Sequence, residues 1–215
     1  MHLPDGLSFA EGACLGVPLL TAYHGVMLNG PVTEKFIFVT GGAGAVGHYA
    51  VQIAKEKGAR VIASVSSEQK ANVALDAGAD HVLNYRQDDL AEVVSRITDG
   101  RGVDHYIEVN LSANGPHLAG LLAFGATVAV YGSGDGAVCI PSSALGAKQI
   151  RMYFYNVYSL PQPVLSAAKS DLAGMLEAGR LQHVIATRFS LDEIVSAHEA
   201  VERGSLIGNA VIEIP

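Results

Sequence analysis

Phe36-Ile37-Phe38-Val39-Thr40-Gly41-Gly42-Ala43-Gly44-Ala45-Val46-Gly47 is the stretch that decides the fold. Its first five residues form a short apolar run closed by glycines, which reads as a buried strand. Residues 45–57 then show helical spacing and stop at Gly58. Between strand and helix lies Gly42-x-Gly44-x-x-Gly47, the glycine loop of a dinucleotide site. Gly42 is expected to turn the chain out of the strand, and Gly44 to admit a pyrophosphate close to the backbone. Gly47 is expected to remove a side chain where the helix lies on the sheet. The N–H groups of Gly44, Ala45, Val46 and Gly47 would then face the phosphates, aided by the positive end of the helix dipole.

Working outward, strands and helices alternate. Residues 60–65, 81–83, 103–109, 126–131 and 150–155 read as further strands, each bounded by glycine or polar turns. Residues 68–77, 88–98, 112–123 and 163–178 read as the helices between or after them. An extended run at 184–189, a helix begun by Ser190-Leu191-Asp192-Glu193 and a strand at 210–214 finish the chain. This alternation implies an α/β fold: a Rossmann-type, doubly wound parallel sheet with helices on both faces, in the order 3-2-1-4-5-6. The whole of 1–215 is expected to be one dinucleotide-binding domain with a helical lead-in over 1–30. In that lead-in Ser8-Phe9-Ala10-Glu11 is a capping box, and Pro18 is placed to begin a second helix.

Composition narrows the function. The 215 residues carry a net charge of −7, which argues against a nucleic-acid or anionic-membrane partner. No apolar run nears the ~20 residues of a membrane span, and no leader pattern is seen, so a cytoplasmic protein is expected. Cys14 and Cys139 lack metal spacing and read as structural thiols. The eight histidines show no ligand spacing, so no metal site is expected. Asp104-His105-Tyr106 alternates along a strand, so its side chains cannot converge, and it reads as structural.

Other phosphate-loop readings fail on spacing. A Walker loop needs Gly-Lys-Ser/Thr where His48 and Tyr49 stand. The short-chain dehydrogenase pattern fails at Ala45, and no tyrosine is followed four residues on by lysine.

Instead, several stretches resemble the medium-chain dehydrogenase/reductase superfamily, and within it the zeta-crystallin-like quinone oxidoreductases. They include Gly16-Val17-Pro18 with Thr21-Ala22-Tyr23, the glycine loop from Val39 to Gly47, and Val65-Ser66-Ser67-Glu68-Gln69-Lys70. Ala77 to Tyr85, Val130-Tyr131-Gly132-Ser133 and Ala197-His198-Glu199 extend the match. Two departures stand out. Gly208-Asn209 replaces the family's Gly-Lys, and the GroES-like domain that the resemblance implies ahead of Leu3 is absent from this sequence.

The resemblance implies NADPH as cofactor and hydride transfer to a small-molecule acceptor, a quinone or an α,β-unsaturated carbonyl. It places Tyr131, Gly132 and Ser133 beside the nicotinamide ribose, Phe154 and Tyr155 near the nicotinamide ring, and Thr21 on the ring's other side. Read from the residues alone, the aromatics on strands are equally well core. Ser66 and Ser67 end the second strand without the carboxylate that an NAD site usually places there. By resemblance Lys70 meets a 2′-phosphate with Tyr85 close by. A homodimer through edge strand 150–155 is also implied, and so is weak or absent quinone turnover by this chain alone. An enoyl reductase module of a polyketide or fatty-acid synthase and a nucleotide-binding module without activity stay open as alternatives.

Overall fold

The computed structural model describes residues 2–134, 136–204 and 206–214. Three short helical pieces come first: α1 (Phe9–Ala13), a π-helical turn over Leu15–Leu19, and α2 (Leu20–Met27). Ser8 starts α1 as the capping box requires, its Oγ accepting from the Glu11 amide while Glu11 Oε2 accepts from the Ser8 amide. Pro18 does not open a helix; it lies inside the π turn. The wider turn spares the ring its clash with the carbonyl four residues back, and no N–H is missed there.

The alternating part follows: β1 (Phe36–Thr40), α3 (Ala45–Glu56), β2 (Arg60–Val65), α4 (Glu68–Asp76), β3 (His81–Asn84), α5 (Leu90–Ile97) and β4 (Val103–Glu108). Ser67 and Asp89 cap α4 and α5 through their side chains. Residues 112–123 are less helical than their pattern suggests. They divide into α6 (Leu111–Asn114), a 3₁₀ turn (Gly115–His117) and α7 (Leu118–Leu121), and β5 (Leu122–Val130) already begins at Leu122. Pro116 sits in the break, where it has no N–H to carry the helix on, and Gly115 is required beside it, since a Cβ there would lie 2.7 Å from the Cys139 carbonyl oxygen. A helix that the sequence did not suggest, α8 (Ser142–Ala147), precedes β6 (Arg151–Phe154). The chain ends with α9 (Gln162–Glu177), β7 (Ile185–Ser190), α10 (Ile194–Glu202) and β8 (Asn209–Glu213).

The main sheet is parallel, in the expected order β3-β2-β1-β4-β5-β6. Its residues alternate between two cores. Ile37, Val39, Val61, Ala63 and Ile107 face the cluster shared with α2, α3 and α9. Phe38, Ile62, Tyr106 and Val128 face the cluster shared with α5, α7 and α8. Strands buried on both faces read as continuous apolar runs, which is why they were legible. β7 and β8 stand apart as a parallel pair of their own. That pair reaches the glycine loop through a bridge between Gly44 and Gly208, with the Gly208 amide donating to the Ala43 carbonyl at 2.9 Å.

The Asp104-His105-Tyr106 side chains diverge. Asp104 accepts from the Phe36 amide at 2.8 Å, His105 Nε2 meets the Gly25 carbonyl at 2.7 Å, and Tyr106 stacks on Phe38 at 4.9 Å.

Candidate functional site

A cleft of about 610 Å³ opens at the C-terminal ends of β1, β2, β4 and β5. Strand order reverses between β1 and β4, the point where open α/β sheets receive ligands. The glycine loop forms its floor. Gly41, not Gly42, takes the left-handed backbone (φ 64°) that turns the chain. Gly42 instead makes room for β2, because a Cβ there would fall 2.7 Å from Ala63 Cβ. A Cβ on Gly47 would collide with the Gly41 carbonyl, so that glycine is demanded by the loop itself rather than by the sheet. Gly44 is the N-cap of α3 and adds no side-chain bond. The first-turn amides of Ala45, Val46 and Gly47 therefore remain as donors, and all three residues line the cleft.

At one end, Val65, Ser66, Lys70 and Tyr85 line the cleft, and Tyr85 is half exposed. Ser67 is not in the lining; its Oγ accepts from the Lys70 amide at 3.3 Å as the cap of α4. Lys70 Nζ donates to the Gly204 carbonyl at 3.0 Å, across the cleft mouth. Glu68 is exposed in the first turn of α4 and does not line the cleft. Among the described lining residues Lys70 is the one charged side chain.

At the other end stand Val109 and Tyr131. Burial pushes the Tyr131 hydroxyl up, with Tyr155 and Glu108 adding to the shift. Gly132 is pressed against the Val109 carbonyl, and its own carbonyl accepts from the Leu111 amide at 3.3 Å. The Ser133 carbonyl accepts from the Ser112 amide at 2.8 Å. Gly132 and Ser133 thus secure the 110–112 turn and are not in the lining.

Three aromatic-end residues are not brought into the cleft. Tyr155 points to α2, its hydroxyl donating to the buried Thr21 carbonyl at 2.9 Å and its ring edge-on to His24 at 4.8 Å. Thr21 is buried under that contact, and Phe154 faces outward on β6 at 67% exposure.

A wall that sequence reasoning missed comes from the far C-terminus: Val201, Gly204, Leu206, Gly208, Asn209 and Ala210. The available signal was Gly208, whose φ of 86° and tight fit against Val184 admit no side chain. Asn209, where the family pattern has lysine, is buried, and its Nδ2 donates to the Val184 carbonyl at 3.3 Å.

The thiols and imidazoles do not assemble. Cys14 is buried and donates to the Ala10 carbonyl at 3.4 Å, but Cys139 is exposed and has no packing role, contrary to its structural reading. His48 is buried with neither ring nitrogen paired. Burial pulls its pKa down.

Sheet order, glycine loop and cleft are those of a Rossmann-type α/β protein. Residues 45–177 match the family described as zinc-binding dehydrogenase, and the chain belongs to that family, within the medium-chain dehydrogenase/reductase superfamily. The quinone oxidoreductase of Pongo abelii is 29% identical over 94% of this chain and 62% of its own length. A mycobacterial protein complexed with NADPH superposes with a TM-score of 0.90 at 26% identity, over 98% of this chain and 66% of the other. The Escherichia coli quinone oxidoreductase complexed with NADPH gives 0.88 at 27% identity, over 100% and 68%. The chain thus spans about three-fifths of the length of the curated relatives it matches. Zinc appears in the family's description, but among the described residues no group of three or more His, Cys, Asp or Glu side chains could hold a metal ion. No helix among them is long and apolar enough to cross a membrane.

Proposed function

We propose that the chain is the NADPH-binding domain of an oxidoreductase that reduces a quinone or an α,β-unsaturated carbonyl. The carrying observation is the cleft's charge distribution: a loop of free helix amides and, among the described lining residues, Lys70 as the one charged side chain with no carboxylate. In this reading the amides of Ala45, Val46 and Gly47 hold the pyrophosphate. Ser66, Lys70 and Tyr85 hold the adenosine ribose and its 2′-phosphate. Val109 and Tyr131 bound the nicotinamide end with Gly132 and Ser133 behind them. Thr21, Phe154 and Tyr155 support that end from outside. When bound, NADPH supplies the hydride. The chain's share is to hold and orient it and to keep water from the ring, the part of such chemistry that proteins contribute. Two relatives carrying NADPH support the cofactor, and the relatives named as quinone oxidoreductases support the acceptor class.

In the same reading the chain pairs as a homodimer along β6. That strand is the last of the sheet, and Tyr153 and Phe154 on it are exposed. Calorimetric titration with NADPH, followed by NADPH oxidation with a benzoquinone, tests the function. Saturable 1:1 binding with a clear preference over NADH is expected. Binding of neither cofactor would overturn the reading.

A further inference from the structure

We propose that Glu108 is a positioning residue for the cleft, a buried carboxyl that fixes the 110–114 turn beside one end of it without touching the ligand. The proposal rests on the reading of the cleft as a nicotinamide dinucleotide site. Glu108 ends β4 and is wholly buried. Its Oε1 accepts from the Asn110 amide and from Asn114 Nδ2 at 2.9 Å. Thr40 Oγ1 lies 3.4 Å from the same oxygen, but its single proton is better placed toward the Ile107 carbonyl at 2.9 Å. The Thr40 oxygen in turn accepts from the Val109 amide at 2.9 Å. The main-chain carbonyl of Glu108 accepts from the Tyr131 amide at 3.1 Å and the Gly132 amide at 3.4 Å.

The carboxyl therefore ties the end of β4 to the 110–114 turn, and that turn meets the residues after β5 through the Leu111 and Ser112 amides, which donate to the Gly132 and Ser133 carbonyls. Val109, between Glu108 and the turn, and Tyr131, beside Gly132, both line the cleft. A buried carboxyl is costly unless its site needs an acceptor, and here the Asn110 amide and Asn114 Nδ2 supply the donors.

The second oxygen, Oε2, has no partner. Burial raises the carboxyl's pKa against the bonds from Asn110 and Asn114, which lower it. The titratable groups facing it are the Tyr106 hydroxyl from its own strand and the Tyr131 hydroxyl from β5, both held protonated by burial. β1 presents Thr40 and α6 presents Asn114, both uncharged. The raised value gives the sign: the stabilisation is complete below the ordinary glutamate range and is lost as pH rises through the folded value. Ionisation would leave a buried charge on Oε2, which has no hydrogen-bond partner.

The test compares wild type, Glu108→Gln and Glu108→Leu. Amide hydrogen exchange at Asn110, Leu111 and Ser112 is followed without ligand, and NADPH affinity by calorimetry over roughly pH 5–8. Glutamine keeps the carbonyl acceptor and cannot ionise. It should match wild type within about twofold at low pH and should not share wild type's loss of affinity and protection as pH rises. Leucine should speed exchange at those amides about tenfold and weaken NADPH comparably. Wild-type exchange and affinity in the leucine variant would overturn the proposal, as would a wild-type pH profile in the glutamine variant. If leucine prevents folding, the glutamine comparison decides alone. If wild type binds no NADPH, the reading of the cleft fails, while the exchange data still decide the role of Glu108.

Discussion

Replacing Lys70 by alanine should separate the two nicotinamide cofactors. Lys70 is the charged group of the cleft lining, and its ammonium already donates to the Gly204 carbonyl at 3.0 Å. A charge-assisted bond to a 2′-phosphate is worth roughly 1.5–3 kcal/mol. Engaging the phosphate costs the exposed Gly204 bond, roughly 0.5–1 kcal/mol. The net is about 1–2 kcal/mol, or ~5- to 30-fold in affinity. Lys70→Ala should therefore weaken NADPH by that factor and leave NADH within about twofold. Because the site is open to solvent, the wild-type preference should also shrink as salt is raised. Calorimetric titration of both cofactors into both proteins, at low and high salt, measures this. Equal losses for the two cofactors, or none, would refute the argument.

Gly47→Ala drives a methyl into the Gly41 carbonyl; it should lose NADPH binding and ~1–3 kcal/mol of stability, read as a fall in melting temperature of about 2–4 °C per kcal/mol. His105 is buried against the Gly25 carbonyl, and burial lowers its pKa to about 4. The unfolded chain takes up the proton first as pH falls from about 6.5, so the native state loses up to ~3 kcal/mol by about pH 4; urea melts should show His105→Gln with a shallower acid slope. Tyr153→Lys puts a charge on the exposed edge strand β6; if the chain pairs there as proposed, light scattering should show two chains per particle for wild type and a shift toward one for the variant.

Much of this was legible because it is local. β1 and β2 lie at the bounds that the apolar runs and glycines mark, and Ser67 caps α4 where the pattern turns helical. Less legible was anything that depends on distant contacts. That Gly42 has no room for a side chain depends on β2, since a Cβ there would fall against Ala63. The wall from Val201 to Ala210 meets the glycine loop across more than 150 residues, through Gly208 and Ala43. Tyr155 was expected near the ring but follows the pull of the Thr21 carbonyl on α2. α8 begins at Ser142 after Pro141, with no capping side chain to announce it in the sequence.

The central claim, that the cleft is where NADPH sits, is tested most directly by mapping amide protection with and without NADPH. The account predicts new protection at Ala45, Val46 and Gly47, at Ser66 and Lys70, and along the Gly204–Ala210 wall. Protection confined to other surfaces, or none at saturating cofactor, would contradict it.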